Sequence, residues 1–402
     1  MILLHASALL LATWALARVA AWMKAPPLLG MIAGGVAVAA LFPPAPEALD
    51  LHDLAPLLRL AVLALVLLRA GMGLSLADLR SAGPLGIRLG LIPVVGDALA
   101  VTGGAHLLLG WDLPAAAVLG CLVAAISPAI VIPGMLDLTE RMTGRARRVP
   151  LALLTGAPLD NIVAVVGLGV ALDLALAGET SWLGVLQALP LRIFGGMLLG
   201  LCLGGLWVGL CRLLPRLTAS SGGLWLVAGL VVVLGRWLDL SFVLGILALG
   251  LLVRHNQEER TEAARSGLAH NWSWAQYLLF GCIGLAVDFR PLAPVGVMGF
   301  TLLFATLVIL GLGQLGRALG TGLATARSGL QPKERLAAVL AYVPKATIQA
   351  AFGSLALDRG LAEGGEILAI AILAIAITAP LGVLSIHRGM EPLLRSAEKT
   401  PS

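Results

Sequence analysis

The sequence predicts an all-α polytopic membrane protein of about thirteen transmembrane segments. Three observations carry this. Hydrophobic residues make up 59% of the chain and charged residues 12%, with a mean hydropathy of +0.97. Soluble domains average roughly 25% charged residues. Apolar runs of about 18 residues or more recur along the whole length. Basic residues, finally, gather in alternate connections. No stretch is left for a soluble domain, because the longest polar run, around His255 to His270, reads as a loop. Residues 1–402 form one transmembrane unit on this reading.

The segments run 3–21, 27–43, 54–74, 84–109, 114–136, 149–177, 182–214, 220–236, 240–253, 272–287, 292–325, 333–357 and 364–387. Each is an apolar stretch closed by residues that hydrocarbon disfavours. Lys24 closes the first, Arg80 the third, and Arg141, Arg145, Arg147 and Arg148 the fifth. Arg212 and Arg216 follow the seventh, and only Arg236 to Ser241 divides the eighth from the ninth. Arg254, Arg260 and Arg265 follow the ninth, Arg290 the tenth, and Arg327, Lys333 and Arg335 the eleventh. Arg359 follows the twelfth, and Arg388, Arg395 and Lys399 follow the last. The first segment reads as a spanning helix rather than a leader, since residues 2–17 hold no Lys or Arg.

Connections after odd-numbered segments, with the C-terminal tail, hold 17 basic residues, and those after even-numbered segments hold 3. That asymmetry puts the odd connections in the cytoplasm. The N-terminus is then outside, the C-terminus cytoplasmic, and the number of crossings odd.

Four ionisable residues fall near the middle of apolar segments: Asp97, Asp160, Arg317 and Lys345. A charge at the bilayer centre costs about 3 kcal/mol or more, so two acids and two bases at that depth imply pairing around an ion path. Asp160 lies about 11 residues into the sixth segment, roughly 17 Å at 1.5 Å per residue, near half of a core of about 30 Å. The fifth segment carries Pro128 and Pro133 and the twelfth Pro344, where each proline removes a backbone donor and should break or kink its helix. Irregular backbone at that depth requires protein or a water-filled cavity to satisfy it. The fourth and eleventh segments carry Asp97 and Arg317, the fifth and twelfth the prolines, and the sixth and thirteenth share Ala-Pro-Leu at 157–159 and 379–381. Members of each pair are seven segments apart and so cross in opposite directions. The expectation is an inverted repeat of six segments each, joined by the seventh, with the ion-handling centre of a secondary transporter at the breaks.

Other features carry less. Cys121, Cys202, Cys211 and Cys282 lack metal-ligand spacing and read as small packing residues. The net charge of +5 is explained by cytoplasmic loops, not by nucleic acid. The histidines fall at termini, loops and the outer end of the fourth segment, and Asp173 is expected to be solvated. No nucleophile–base arrangement, metal cluster or phosphate-cradling loop points to an enzyme or a cofactor. Arg69 snorkels or lines a funnel. Arg141, Arg145, Arg147 and Arg148 read as a positive-inside anchor, with anionic lipid as the sharper alternative.

The run Ile126-Ser-Pro-Ala-Ile-Val-Ile-Pro-Gly-Met135 resembles the first broken helix of monovalent cation:proton antiporters. Tyr342-Val-Pro-Lys-Ala-Thr-Ile-Gln-Ala-Ala351 is similar to the second, in the sodium/hydrogen exchanger-like branch that includes bacterial relatives of mitochondrial-type exchangers. Leu68-Arg-Ala-Gly-Met72 and Ile377-Thr-Ala-Pro-Leu-Gly382 support the same branch. The resemblance implies an elevator-type antiporter in the bacterial inner membrane, usually a homodimer, with two broken helices crossing beside the site. Its transport core would be about 84–177 and 292–388, and its dimerisation scaffold about 1–74 and 182–287. It implies further that Asp97 pairs with Arg317 and Lys345 with Asp160, and we read the first of these as a structural or gating pair.

One position departs from the family pattern. The helix carrying Asp160 normally ends its motif in a second acid, which binds the cation, and here that residue is Asn161. An amide offers a carbonyl oxygen but exchanges no proton. The expectation is that Asp160, the Asn161 carbonyl, Ser127, Thr155 or freed backbone carbonyls hold Na⁺, Li⁺ or K⁺, displacing Lys345 and releasing a proton. The alternative is a relative of the same fold that moves another substrate or transports nothing.

Overall fold

The computed structural model describes residues 2–23, 25–42, 51–73, 83–176, 182–214, 220–256, 261–287 and 296–398. Among them every regular element is helical: α1 (Ile2–Trp22), α2 (Pro27–Leu41), α3 (Leu51–Gly73), α4 (Gly83–Leu109), α5 (Leu113–Ala124), α6 (Pro128–Arg141), α7 (Arg148–Leu176), α8 (Trp182–Leu213), α9 (Ser221–Trp237), α10 (Phe242–Asn256), α11 (Thr261–Ala286), α12 (Gly296–Thr325), α13 (Pro332–Ala341), α14 (Thr347–Phe352), α15 (Leu355–Asp358), α16 (Gly364–Leu384) and α17 (Glu391–Glu398). Proline in the first turn starts α2, α5, α6 and α13, where its missing N–H is unneeded and its fixed φ already suits a helix. Seven helical stretches among the described residues are long and apolar enough to cross a membrane, and the protein is an integral membrane protein.

The elements gather into two compact units, Met1–Ser75 with Leu176–Val287, and Leu76–Ala175 with Asp288–Ser402. In the first, α2 and α11 touch backbone to backbone. A Cβ on Gly35 would lie 2.7 Å from the Cα of Gly284, so neither position admits a side chain. Between apolar helices in lipid no hydrophobic force drives association, and such close approach supplies dispersion contact instead. Arg59 is buried and donates to the Cys282 carbonyl at 2.8 Å. Arg69 lies over the Trp272 ring, 5.4 Å from its centroid.

In the second unit α4 and α12 run antiparallel: Gly96 meets Gly316, Pro93 meets Gly320, and Gly104 meets Ile309. A Cβ on Gly96 would sit 2.5 Å from the Gly316 carbonyl oxygen. This seam places Asp97 and Arg317, one residue beyond each glycine, against each other.

Two expectations are corrected. The stretch around His255 to His270 is not all loop, because α11 begins at Thr261. Its Ala264, Leu268, Ala275 and Leu279 are buried along one helical face, so packing extends a helix whose other face is polar. Pro133 does not break its helix: α6 runs through it, and the interruption is Ala125–Ser127, just before Pro128. One lost hydrogen bond is tolerated there because proline's φ is already helical. The twelfth segment is three pieces, α13, α14 and α15, with Tyr342–Ala346 non-helical around Pro344. Lys24, Arg80, Arg216, Arg260, Arg290 and Lys399, with the predicted segment ends at 43, 74, 177 and 292–295, lie outside the described residues.

Candidate functional site

Two interrupted helices meet in the second unit. The Ser127 N–H, in the first interruption, donates to the Pro344 carbonyl in the second at 2.9 Å. Ser127 Oγ lies 3.4 Å from Thr347 Oγ1. Gly382 of α16 packs directly on Pro344, leaving no room for a Cβ. The Lys345 N–H donates to Thr378 Oγ1 at 3.1 Å, and the Val343 carbonyl accepts from Gln314 Nε2 at 3.3 Å. Irregular backbone at membrane depth is thus satisfied by side chains of α12 and α16, as hydrocarbon requires.

The end of α5 exposes carbonyls that no helix continues to bind. Lys345 Nζ donates to Val123 O at 2.7 Å, and Arg317 Nη2 to Ala124 O. Gln349 Nε2 donates to Ala125 O at 2.6 Å and Leu122 O at 3.0 Å. Two cations therefore sit at the negative end of one half-helix, where its dipole favours them. Asp160 takes the opposite side of the break, with Oδ1 accepting from the Ile126 N–H at 3.3 Å beside the start of α6.

The charges are arranged around Arg317. Its Nε donates to Asp97 Oδ2 at 2.7 Å and its Nη1 to Asp160 Oδ2 at 2.8 Å. Lys345 Nζ donates to the same Asp97 Oδ2. The Tyr342 ring lies 5.1 Å from the guanidinium carbon, with its hydroxyl bonded to the Leu89 carbonyl. Asp97, Asp160, Arg317 and Lys345 are each at most 1% exposed. Two acids and two bases leave the cluster formally neutral, which is what makes its burial tolerable.

A family model described as "Sodium/hydrogen exchanger, transmembrane" matches residues 6–390. The chain belongs to the sodium/hydrogen exchanger family. It is 31% identical over 400 residues to mouse sodium/hydrogen exchanger 9B2, covering 93% of this chain and 70% of the relative. The human protein of that name is 30% identical over 390 residues, with the same coverage. A solved structure, the sodium proton antiporter MjNhaP1 from Methanocaldococcus jannaschii at pH 8, superposes with a TM-score of 0.71 at 18% identity. It covers 98% of this chain and 97% of that one, and shows the shared fold.

Within this family member the pairing of charges differs from the expected one. Lys345 does not reach Asp160. The forked guanidinium of Arg317 spans both acids and takes Asp160, leaving Lys345 the far side of Asp97. Asn161 is 7% exposed, and its Oδ1 and Nδ2 are buried without a hydrogen-bond partner among the described residues. Thr155 Oγ1 donates to its own helix, at Ala152 O (3.0 Å), and no hydrogen bond joins it to the cluster among the described residues. Asp173 is not solvated but 9% exposed, with Arg359 Nη2 at 3.7 Å from its Oδ1. The C-terminal end of α7 therefore meets the residue that follows α15.

Of the basic cluster, Arg141 pairs with Asp137 at 2.7 Å, Arg145 donates to Gly329 O at 2.8 Å, and Arg148 reaches Ser328 O at 3.4 Å. Much of its charge serves to pin the turn between α12 and α13.

Sequence reasoning missed Gln349 and Tyr342. Both stand inside the Tyr342-to-Ala351 run and are wholly buried, and nothing in one dimension marks their partners, the carbonyls at the end of α5 and of Leu89. Gln349→Leu is expected to strand the Leu122 and Ala125 carbonyls at about 1–3 kcal/mol each. Thermal unfolding of the purified variant should show that loss, and an unchanged melting temperature would remove Gln349's capping role.

Proposed function

We propose that this chain exchanges a monovalent cation, Na⁺, Li⁺ or K⁺, for protons across the membrane, with Asp160 as the carboxylate that meets the cation. The observation that carries this is Asp160, fully buried beside two helix breaks that touch, in a member of the exchanger family. The cation takes Asp160 Oδ2 in place of Arg317 Nη1. Asn161 Oδ1, Ser127 Oγ and the break's carbonyls complete a hard-oxygen shell. Arginine keeps its proton at any working pH, so the exchanged proton comes from Lys345 or an acid. Asp97 and Arg317 act as a structural or gating pair.

The unit Leu76–Ala175 with Asp288–Ser402 serves as the moving core of an elevator, and Met1–Ser75 with Leu176–Val287 as the scaffold of a homodimer. Two inverted six-helix repeats build both. The charge asymmetry supports an external N-terminus and a cytoplasmic C-terminus, in a bacterial inner membrane, and anionic lipid binds at Arg141, Arg145, Arg147 and Arg148.

With Asn161 uncharged, one cation replaces one proton and the loaded site keeps its net charge. Exchange is therefore electroneutral. In proteoliposomes an imposed potential of about 100 mV acts with about 2.3 kcal/mol on each charge moved. Sodium-driven proton flux should not respond to it, and a rate that follows the potential would sink the one-for-one exchange.

Collapse of a pH gradient in proteoliposomes, challenged separately with Na⁺, Li⁺ and K⁺, tests the activity itself. Asn161, with both polar atoms buried and unpartnered among the described residues, favours a second reading: a relative whose cation site is dismantled. Silence with all three cations in the parent, and flux in Asn161→Asp, would select it.

A further inference from the structure

One guanidinium touches both acids. Arg317 Nε holds Asp97 Oδ2 at 2.7 Å and Nη1 holds Asp160 Oδ2 at 2.8 Å, while Lys345 Nζ donates to the same oxygen of Asp97. The four charges form a line, Lys345–Asp97–Arg317–Asp160, rather than two separate pairs. Asp97 Oδ1 is buried and has no hydrogen-bond partner among the described residues. The residue facing it is Gly313, on which a Cβ would sit 2.6 Å from that oxygen. A carboxylate in contact with a guanidinium therefore keeps one acceptor unused.

Resting on the cation–proton exchange proposed above, we infer that Arg317 is the positioning residue that transmits cation arrival at Asp160 to proton release at Lys345, through Asp97. A cation on Asp160 Oδ2 frees a guanidinium donor, and Asp97 Oδ1 is the acceptor waiting for it. Asp97, then engaged through both oxygens, loosens its hold on the Lys345 ammonium. The Lys345 N–H bond breaks, its electron pair stays on nitrogen, and the proton leaves to water. One positive charge has entered the site and one has left. Reprotonation of Lys345 draws Asp97 back, returns Arg317 to Asp160 and expels the cation. Such coupling is reciprocal: the cation favours loss of the proton by the same factor by which the proton disfavours the cation.

The charged and titratable groups facing Arg317 are Asp97 from α4, Asp160 from α7, and Lys345 and Tyr342 from the second break. The end of α5 contributes the Val123 and Ala124 carbonyls, and α16 contributes the Thr378 hydroxyl on the Lys345 backbone.

The test is binding of radiolabelled sodium to the purified full chain across a pH series. One proton displaced per cation changes apparent affinity by about tenfold per pH unit. Arg317→Lys keeps the charge, but an ammonium lacks the fork that holds two carboxylates at once. Its affinity should follow pH by less than about twofold per unit, with sodium still bound. Asp97→Asn, which keeps the side-chain shape and cuts the line at its middle, should flatten the slope in the same way. A parental slope in either folded variant would overturn the relay. Proton release on sodium addition to an unbuffered sample gives a second readout, which should be present in the parent and absent in both variants. Failure of the underlying reading looks different: Asp160→Asn would then bind sodium as the parent does.

Discussion

Asp97→Leu is expected to be the most destabilising single change in the molecule. It leaves Arg317 with Asp160 alone and Lys345 with the Val123 carbonyl and no acid, both cations at most 1% exposed. Removing one partner of a buried ionic cluster costs about 3–5 kcal/mol, because an uncompensated charge stays behind. Over 402 residues, at about 2.1 cal/mol/K of unfolding entropy per residue, that corresponds to a fall in melting temperature of roughly 4–6 °C. The double variant Asp97→Leu with Lys345→Met removes one acid and one base, leaving Arg317 on Asp160. Buried ion pairs replaced by apolar groups of similar volume are often neutral in stability, so the double variant should recover more than half of the loss. Melting curves of detergent-purified protein decide it. A double variant less stable than Asp97→Leu would mean that Lys345 contributes through Val123 and packing rather than through the acid.

Asp160→Ala is expected to abolish cation-dependent proton flux in proteoliposomes, by about a hundredfold or more, a loss of about 2.7 kcal/mol. The carboxylate is the one charged cation ligand in the proposed shell, since Asn161 contributes only a neutral carbonyl. The protein should still fold, because Arg317 keeps Asp97 and the Ala124 carbonyl. Asn161→Asp adds a second carboxylate to a site that now lacks one, and a second exchangeable proton with it. It should steepen the pH dependence of flux if the parent is active, and create flux if the parent is silent. Full activity in Asp160→Ala would move the cation elsewhere, and Asp97, with its unused oxygen, would be the next place to look.

Much of this site is legible in the sequence because hydrocarbon makes polar residues conspicuous. Asp97, Asp160, Arg317 and Lys345 stand out for the cost of placing them there, and Pro128 and Pro344 for the backbone donors they remove. Pro133 looks the same in the sequence but sits within a helix, because proline's own geometry is helical and only neighbouring contacts decide whether the chain continues. Asp173 near a helix end resembles a solvated acid until Arg359 is folded against it. Gln349 draws no attention in one dimension, since its task is to cap carbonyls more than 200 positions earlier in the chain.

The sequence by itself determined that the chain is helical, that it lives in a membrane, and which side chains must find partners inside it. Apolar period, charge placement and proline are local properties, and each acts on its own segment wherever that segment ends up. Only the tertiary structure decided who pairs with whom. Lys345 reaches Asp97 across 248 positions and Arg317 reaches Asp160 across 157. The outcome turns on the close approach of α4 and α12 at Gly96 and Gly316, on the length of an arginine against a lysine, and on where the α5 carbonyls end. None of those distances is a property of any one segment. They arise when the two breaks come into contact, and with them arises the line of charges on which exchange would depend.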